Sequence, residues 1–373
     1  MARFSGPGSA LADALSWGAD FGDLRARSEP KSFVVNPLYP GADPYVVRHG
    51  EHYYYCQAGP GGGIEVWRGS SLTDRGERAV VWTPPARGWN SRQIWAPELH
   101  LVRGRWYIYY AASDGRNANH RMGVLAATGD DPQGEFVDAG QLYTGDDVRR
   151  GTRNRWAIDG TVLDHNGQLY LIWSGWADHR DVQHLYIARM SDATTVSSDR
   201  VRLCANDCHL WERCGERRGE RGLNEGPQVL VRHGRVMIVY SASGSWQTTY
   251  KLGLLTMDVA ADPMDCDSWR KLDQPVFESS GEVFGVGHCC FTTSPDGRED
   301  WILYHSKRYR WNGWDRVVRA QPFRWTEDGL PDFGRPVPSG VPLAAPSEDH
   351  AVLTLSGAAH PAGLAASPDR PQI

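Results

Sequence analysis

One pattern recurs five times along this chain and constrains its fold more than any other feature. Each unit opens on a polar or charged residue beside Gly or Pro and runs into a short strand-like stretch. It then turns at a Gly and returns through a second, mostly aromatic-rich stretch. The units read GADPYVVRHGEHYYYCQA, WAPELHLVRGRWYIYYAAS, AIDGTVLDHNGQLYLIWSG, NEGPQVLVRHGRVMIVYSAS and GHCCFTTSPDGREDWILYHS. Their lead residues are Asp43, Glu98, Asp159, Glu225 and His288, about 55 to 66 residues apart. Self-similarity at such a period is the mark of a repeat architecture. The turns fall at His49-Gly50, Arg103-Gly104, Asn166-Gly167, His233-Gly234 and Asp296-Gly297. Asn-Gly is the strongest hairpin dipeptide among them, because a tight hairpin turn needs positive φ at both central residues.

Each unit continues into a third strand-like segment: GIEVWRGSS, HRMGVLAAT, HLYIARMSD, YKLGLLTMD and RVVRAQPFRW. Most add a weaker fourth: AVVWTPP, EFVDAG, SDRVRLC and SWRKLDQPVF. Five units of four strands predict an all-β fold, a five-bladed β-propeller with its active site in the central channel. The stretch KSFVVNPLY (31–39) is expected to give the last blade an outer strand and so close the ring. The expected organisation is an N-terminal extension over 1–30, the propeller over 31–345 and an Ala/Pro/Ser-rich tail over 346–373.

Bulk properties narrow the function classes. The net charge is −5, which gives no general attraction to nucleic acid or anionic lipid, so neither is expected as a partner. A mean hydropathy of −0.50 without a long apolar run argues against a membrane-spanning helix. The first residues show no basic segment followed by an apolar one, and the seven cysteines include the adjacent pair Cys289-Cys290. A reduced, cytoplasmic protein is the simpler expectation, with secretion left open if a leader has been removed. The oligomeric state is not legible.

The first strand of each propeller blade lines the channel, so the five lead residues are expected to converge. Four carboxyl groups in one pocket cannot all ionise without mutual cost, and their proton affinities should separate. A single acid at a strand mouth can merely cap a turn, but the recurrence of acids at matched points favours a functional reading. Paired carboxylates suit hydrolysis of a glycosidic bond, one protonating the leaving oxygen and the other activating water or attacking directly. The 16 Trp and 15 Tyr fit either packed β cores or stacking on sugars.

The motifs GADPYVV, WAPELH, WAIDGTV, NEGPQVL and GHCCFTT resemble those of glycoside hydrolase family 43, within it the exo-acting, arabinan-trimming α-L-arabinofuranosidases. The likeness covers roughly 33–343 and takes in NPLYPGADP, NHRMGVL, LIWSGW, VYSASG and RVVRAQPFRWTEDGLPDFG. It implies Asp43 as general base, Glu225 as general acid and Asp159 as the group that orients that acid and raises its pKa, with inversion at the anomeric carbon. It implies a substrate-reaching arginine at Arg316, with Arg319 on the opposite face of the strand. His288 matches a channel histidine that helps to hold calcium or another cation on the axis. The chemistry itself requires no cofactor. The two cysteines after His288 depart from the family's small polar residues and leave that cation in doubt.

Glu98, Trp95, Trp89, Trp176 and His120 complete the substrate-binding candidates. Packing is an equal reading for Trp89 and Trp176, and for His120 a turn contact is the favoured one. The basic, aromatic loop YHSKRYRWNGWD (304–315) is a candidate pocket wall. Cys204, Cys208, His209 and Cys214 lack the spacing of a standard zinc knuckle, and a loop disulfide or free thiols are favoured. GPGGG (59–63) lacks the Lys and following helix of a phosphate loop, and RRGTRNR (149–155) reads as a solvated loop. The expected substrate is an oligo- or polysaccharide, from which terminal α-L-arabinofuranose is released from arabinan- or arabinoxylan-derived chains. The alternatives are a β-xylosidase or other furanosidase on the same scaffold, and a non-catalytic carbohydrate-binding propeller.

Overall fold

A computed structural model describes residues 32–152, 154–177 and 181–347. The extension expected over 1–30, and the expected tail from 348 onward, lie outside them. Two short strands come first, β1 (Phe33–Val35) and β2 (Tyr39–Pro40). The first blade is β3 (Tyr45–His49), β4 (His52–Ala58), β5 (Ile64–Gly69) and β6 (Glu77–Trp82). The second is β7 (Arg92–Val102), β8 (Arg105–Ser113), β9 (Arg121–Ala127) and β10 (Phe136–Gln141). The third is β11 (Ala157–His165), β12 (Gln168–Trp176) and β13 (Gln183–Asp192), with β14 (Thr195–Val196) and β15 (Val201–Cys204) both on the edge of β13. The fourth is β16 (Asn224–Arg232), β17 (Arg235–Ala242), β18 (Lys251–Asp258) and β19 (Arg270–Lys271). The fifth is β20 (Gly287–Thr293), β21 (Asp300–Lys307) and β22 (Arg316–Trp325), with β23 (Pro331–Asp332) on β22; β24 (Pro342–Ala344) follows.

Every blade is an antiparallel meander, as the five sequence units predict, and no α-helix occurs among the described residues. The ring closes where β2 pairs with β22, making the start of the described chain the outer strand of the last blade. Only Tyr39–Pro40 does this. Residues 33–35 pair instead with β24, a two-stranded clasp outside the blades that the sequence pattern did not indicate.

The core lies between blades. Five apolar clusters fill the five gaps, for example Tyr54 and Ile64 against Leu99 and Tyr110, and Trp301 and Leu303 against Tyr53 and Tyr55. Because strand side chains alternate, Tyr53 and Tyr55 enter one gap while Tyr54 and Cys56 enter the next. Both faces of an inner blade strand are therefore covered, which explains the unbroken aromatic run and much of the Trp and Tyr content. The same alternation sends Cys289 and Cys290 into opposite gaps. Trp301 sits in the gap between last and first blades at 1% exposure. Trp301→Ala should cost about 3–5 kcal/mol, read as a lower denaturant midpoint at unchanged slope.

Candidate active site

The innermost strands are built alike at their mouths. Asp43, Ala96, Asp159, Gly226 and His288 all adopt left-handed backbone, with φ between 40° and 55°. In four blades the strand pairing shifts register at this point, between Trp95 and Glu98, Ile158 and Thr161, Glu225 and Gln228, and Gly287 and Cys289. Such bulges suspend the strict alternation of side chains and re-aim them. Asp and His tolerate this backbone; for Ala it is a strain of the kind concentrated at functional sites. Gly226 has a second reason to be glycine, since a Cβ there would stand 3.2 Å from the His288 ring. Its N–H instead donates to Asp159 Oδ2 at 3.0 Å.

One pocket at the channel mouth gathers Asp43, Asp159, Glu225, His288, Arg316 and Trp95, all named by the sequence. Arg316 Nη1 lies 3.2 Å and His288 Nδ1 3.4 Å from Asp43 Oδ1. His288 Nδ1 is also 3.9 Å from Asp159 Oδ2. Glu225 accepts from the Tyr250 hydroxyl at 2.8 Å and from Gln183 Nε2 at 3.2 Å. Arg319 is on the other face of β22, donating to Ser306 Oγ, Ser339 Oγ and the Val337 carbonyl.

The three acids hold protons unequally. Burial pushes the Asp43 carboxyl up, but the Arg316 guanidinium, the His288 ring and His305 together hold it well below the usual carboxylate range. Burial drives Asp159 up to about 7; the His288 ring opposes this, while the Glu225 and Asp43 charges add to it. Glu225 is raised by burial first, against the Tyr250 hydrogen bond and His288 and with help from the Asp43 charge. Desolvation, rather than repulsion by Asp159, is thus the first cause of the raised proton affinity of Glu225. His305 is pushed down to about 3 by burial and the nearby Arg316 charge, so its ring is neutral.

Four expected residues are off the pocket lining. Glu98 follows the left-handed residue of its blade, Ala96, by two positions, so it is not the counterpart of the other lead residues. Its carboxylate accepts from Gln228 Nε2 at 2.5 Å and pairs with His100 Nε2 at 2.8 Å. His120 is fully buried, its ring stacked on Trp95 at 3.8 Å and its nitrogens facing the carbonyls of Asn117 and Gln93. It supports Trp95 from behind. Trp176 stacks on Trp156 at 4.7 Å, and it is Trp156 that lines the pocket. Trp89 stacks on Tyr110 at 6.1 Å and faces a separate groove with Asp114 and Arg121.

The loop 304–315 does form part of the pocket wall, through Trp314, but sequence reasoning missed Trp156, Gln183, Tyr250 and Trp246. Trp156 had a signal: WAPE and WAID begin alike, and both tryptophans reach the pocket. A buried Lys271–Glu212 pair was also missed; Glu212 Oε1 accepts from Asn224 Nδ2 at 3.0 Å and so fixes the residue before Glu225. Among the described residues no three His, Cys, Asp or Glu side chains are set to hold a metal. His288 turns its Nδ1 toward Asp43 and Asp159, and the cysteines at 204, 208 and 214 belong to no such group. All seven cysteines are free.

A closed ring of five blades with opposed carboxyl groups at the mouth of its channel defines a glycoside hydrolase of the propeller class. The chain belongs to the Glycosyl hydrolases family 43, whose model matches residues 34–331, and an oligo- or polysaccharide substrate comes with that membership. It is 33% identical to alpha-L-arabinofuranosidase 43 of Humicola insolens, over 94% of this chain and 76% of that protein. It is 32% identical to the extracellular exo-alpha-(1->5)-L-arabinofuranosidase of Streptomyces avermitilis, over 85% of this chain and 66% of that protein, just under two thirds of its length. The crystal structure of an alpha-L-arabinofuranosidase from Lactobacillus brevis superposes with a TM-score of 0.74 at 33% identity, covering 82% of this chain and 98% of that one. The extracellular relative overturns the cytoplasmic expectation. Cys56, Cys214, Cys289 and Cys290 are buried, packed as small apolar side chains, and buried inert thiols carry no information on redox compartment.

Proposed function

We propose that this chain is an inverting, exo-acting α-L-arabinofuranosidase that releases terminal α-L-arabinofuranose from arabinan- or arabinoxylan-derived oligosaccharides. Arabinose and exo action are supported by the activities that the relatives' names print. The mechanism is carried by one observation, the opposed proton affinities of Asp43 and Glu225 in a single pocket. Asp43, ionised beside Arg316, takes a proton from water as that water attacks the anomeric carbon. Glu225 gives its proton to the departing glycosidic oxygen. The incoming water oxygen and the leaving oxygen lie on opposite faces of the sugar, so configuration inverts. Asp159 is the positioning acid, tied to the Gly226 N–H and held protonated more readily by burial and by the Glu225 charge beside it. Proton movements run between side chains and water, and no cofactor takes part.

The test is a panel of aryl glycosides followed across pH. Turnover is expected on aryl α-L-arabinofuranosides and not on aryl β-D-xylopyranosides; the reverse preference would replace arabinose with xylose in this reading. The acid must be protonated, and the Glu225 carboxyl is held above its ordinary value, so kcat/KM should fall on the alkaline side as Glu225 loses its proton. The base must be ionised, and Asp43 stays ionised well below the usual carboxylate range, so the acidic side should stay flat to correspondingly low pH.

A further inference from the structure

Among the described residues, four aromatic side chains are strongly exposed: Phe33, Tyr309, Trp311 and Trp314. Three of them stand on one loop, residues 308–315, between β21 and β22. Tyr309 and Trp311 are 48% and 61% exposed and lie flat against each other, 4.7 Å apart and 11° from parallel. Each ring thus covers one face of its neighbour and leaves the other open. Exposed aromatic clusters of this kind are unfavourable in water and mark binding surfaces.

The loop is built rather than loose. Lys307, buried at its base, donates to the carbonyls of Ser245 and Gly313. The Gly313 N–H donates to the Trp246 carbonyl at 2.7 Å, and Asn312 Oδ1 accepts from the Thr248 N–H at 2.9 Å. Arg308 pairs with Asp315 at 2.8 Å across the loop's two ends. These contacts lock it to the segment that carries Trp246. The loop is also continuous with the reaction centre. Trp246 and Trp314 both line the pocket, 5.7 Å apart, and the Arg316 guanidinium sits 5.5 Å from the Trp314 ring.

We propose that Tyr309 and Trp311 form a stacking platform for the leaving-group side of a bound oligosaccharide, the sugar units beyond the bond that is cut. The C–H faces of sugar rings pack on flat, open aromatic faces. A rigid pair of rings next to the pocket wall binds such units at little ordering cost. The platform rests on the proposed glycosidase reading and adds to it a preference for longer chains.

Binding is measured by calorimetry in the Glu225→Gln chain, which does not consume its ligand. Two series are titrated, α-(1→5)-linked arabino-oligosaccharides and β-(1→4)-linked xylo-oligosaccharides of two to six units. In the series that binds, affinity should rise about tenfold with length. Adding Trp311→Ala should abolish that rise, and Trp311→Phe, which keeps a ring, should restore part of it. A rise that survives both Trp311→Ala and Tyr309→Ala overturns the platform, as does affinity independent of length or no binding in either series. Sedimentation of the wild-type chain and of Trp311→Ala covers the other occupant: a dimer split by the substitution makes the patch a self-interface and also overturns the proposal. Wild-type turnover of aryl α-L-arabinofuranosides, measured separately, decides the proposed function without touching the platform.

Discussion

Glu225→Gln should lower kcat on arabino-oligosaccharides by about 10²–10⁴-fold, the usual contribution of a positioned general acid. The substitution keeps the shape of a side chain held by the Tyr250 hydroxyl and Gln183 and removes only the transferable proton. The size of the loss should depend on the leaving group. A sugar alkoxide departs poorly without a proton, whereas a dinitrophenolate departs well unaided. On a dinitrophenyl α-L-arabinofuranoside the loss should therefore be small, and the alkaline fall in rate should disappear with the acid that causes it. An equal loss on both substrates would mean that the residue shapes the pocket rather than protonating the leaving group. No loss on either would remove it from the mechanism. If the alkaline fall persisted on the activated substrate, it would belong to Asp159, whose carboxyl burial drives up to about 7.

What could be read from the sequence is what the chain encodes locally. Hairpin turns such as Asn166-Gly167, with φ of 51° and 78°, are set by two adjacent residues. The unbroken apolar and aromatic runs of β4, β8 and β12 reflect gaps that bury both faces. Blade number, ring closure and the acids at the heads of β11 and β16 follow from these. Glu98 shows where the reading failed: the bulge at Ala96-Pro97 displaces it from the mouth, and no local composition announces a left-handed alanine. The rest of the pocket comes from residues distant in sequence, Gln183 at the head of β13, Tyr250 just before β18, and Trp246 and Trp314 on loops. Their meeting depends on the angle between blades, which a single sequence does not display. The cause of the raised proton affinity at Glu225 is hidden for a similar reason. Charge repulsion is visible as a list of acids, but the burial that dominates at Asp159 and Glu225 is a property of the closed ring.

Asp43→Asn should cost at least as much as the loss of the acid, and in a different pattern. The amide preserves the shape beside Arg316 and His288 but cannot accept the proton of the attacking water, so turnover should fall by about 10²–10⁴-fold whatever the leaving group. Activated and unactivated substrates would suffer alike, and this separates base from acid in the same assay. Asp43→Ala goes further, because it leaves a gap beside the Arg316 guanidinium and the His288 ring on the side from which water attacks. Azide, an anion that needs no base, should enter that gap and raise the rate. Its terminal nitrogen bonds to the anomeric carbon as the aryl oxygen leaves, and the product is a glycosyl azide of inverted, β configuration. An α-configured azide would mean two displacements at the anomeric carbon, and inversion would fall with it. An absence of rescue together with a leaving-group-dependent loss would move the acid role to Asp43 and reverse the proposed assignment of the two carboxyl groups.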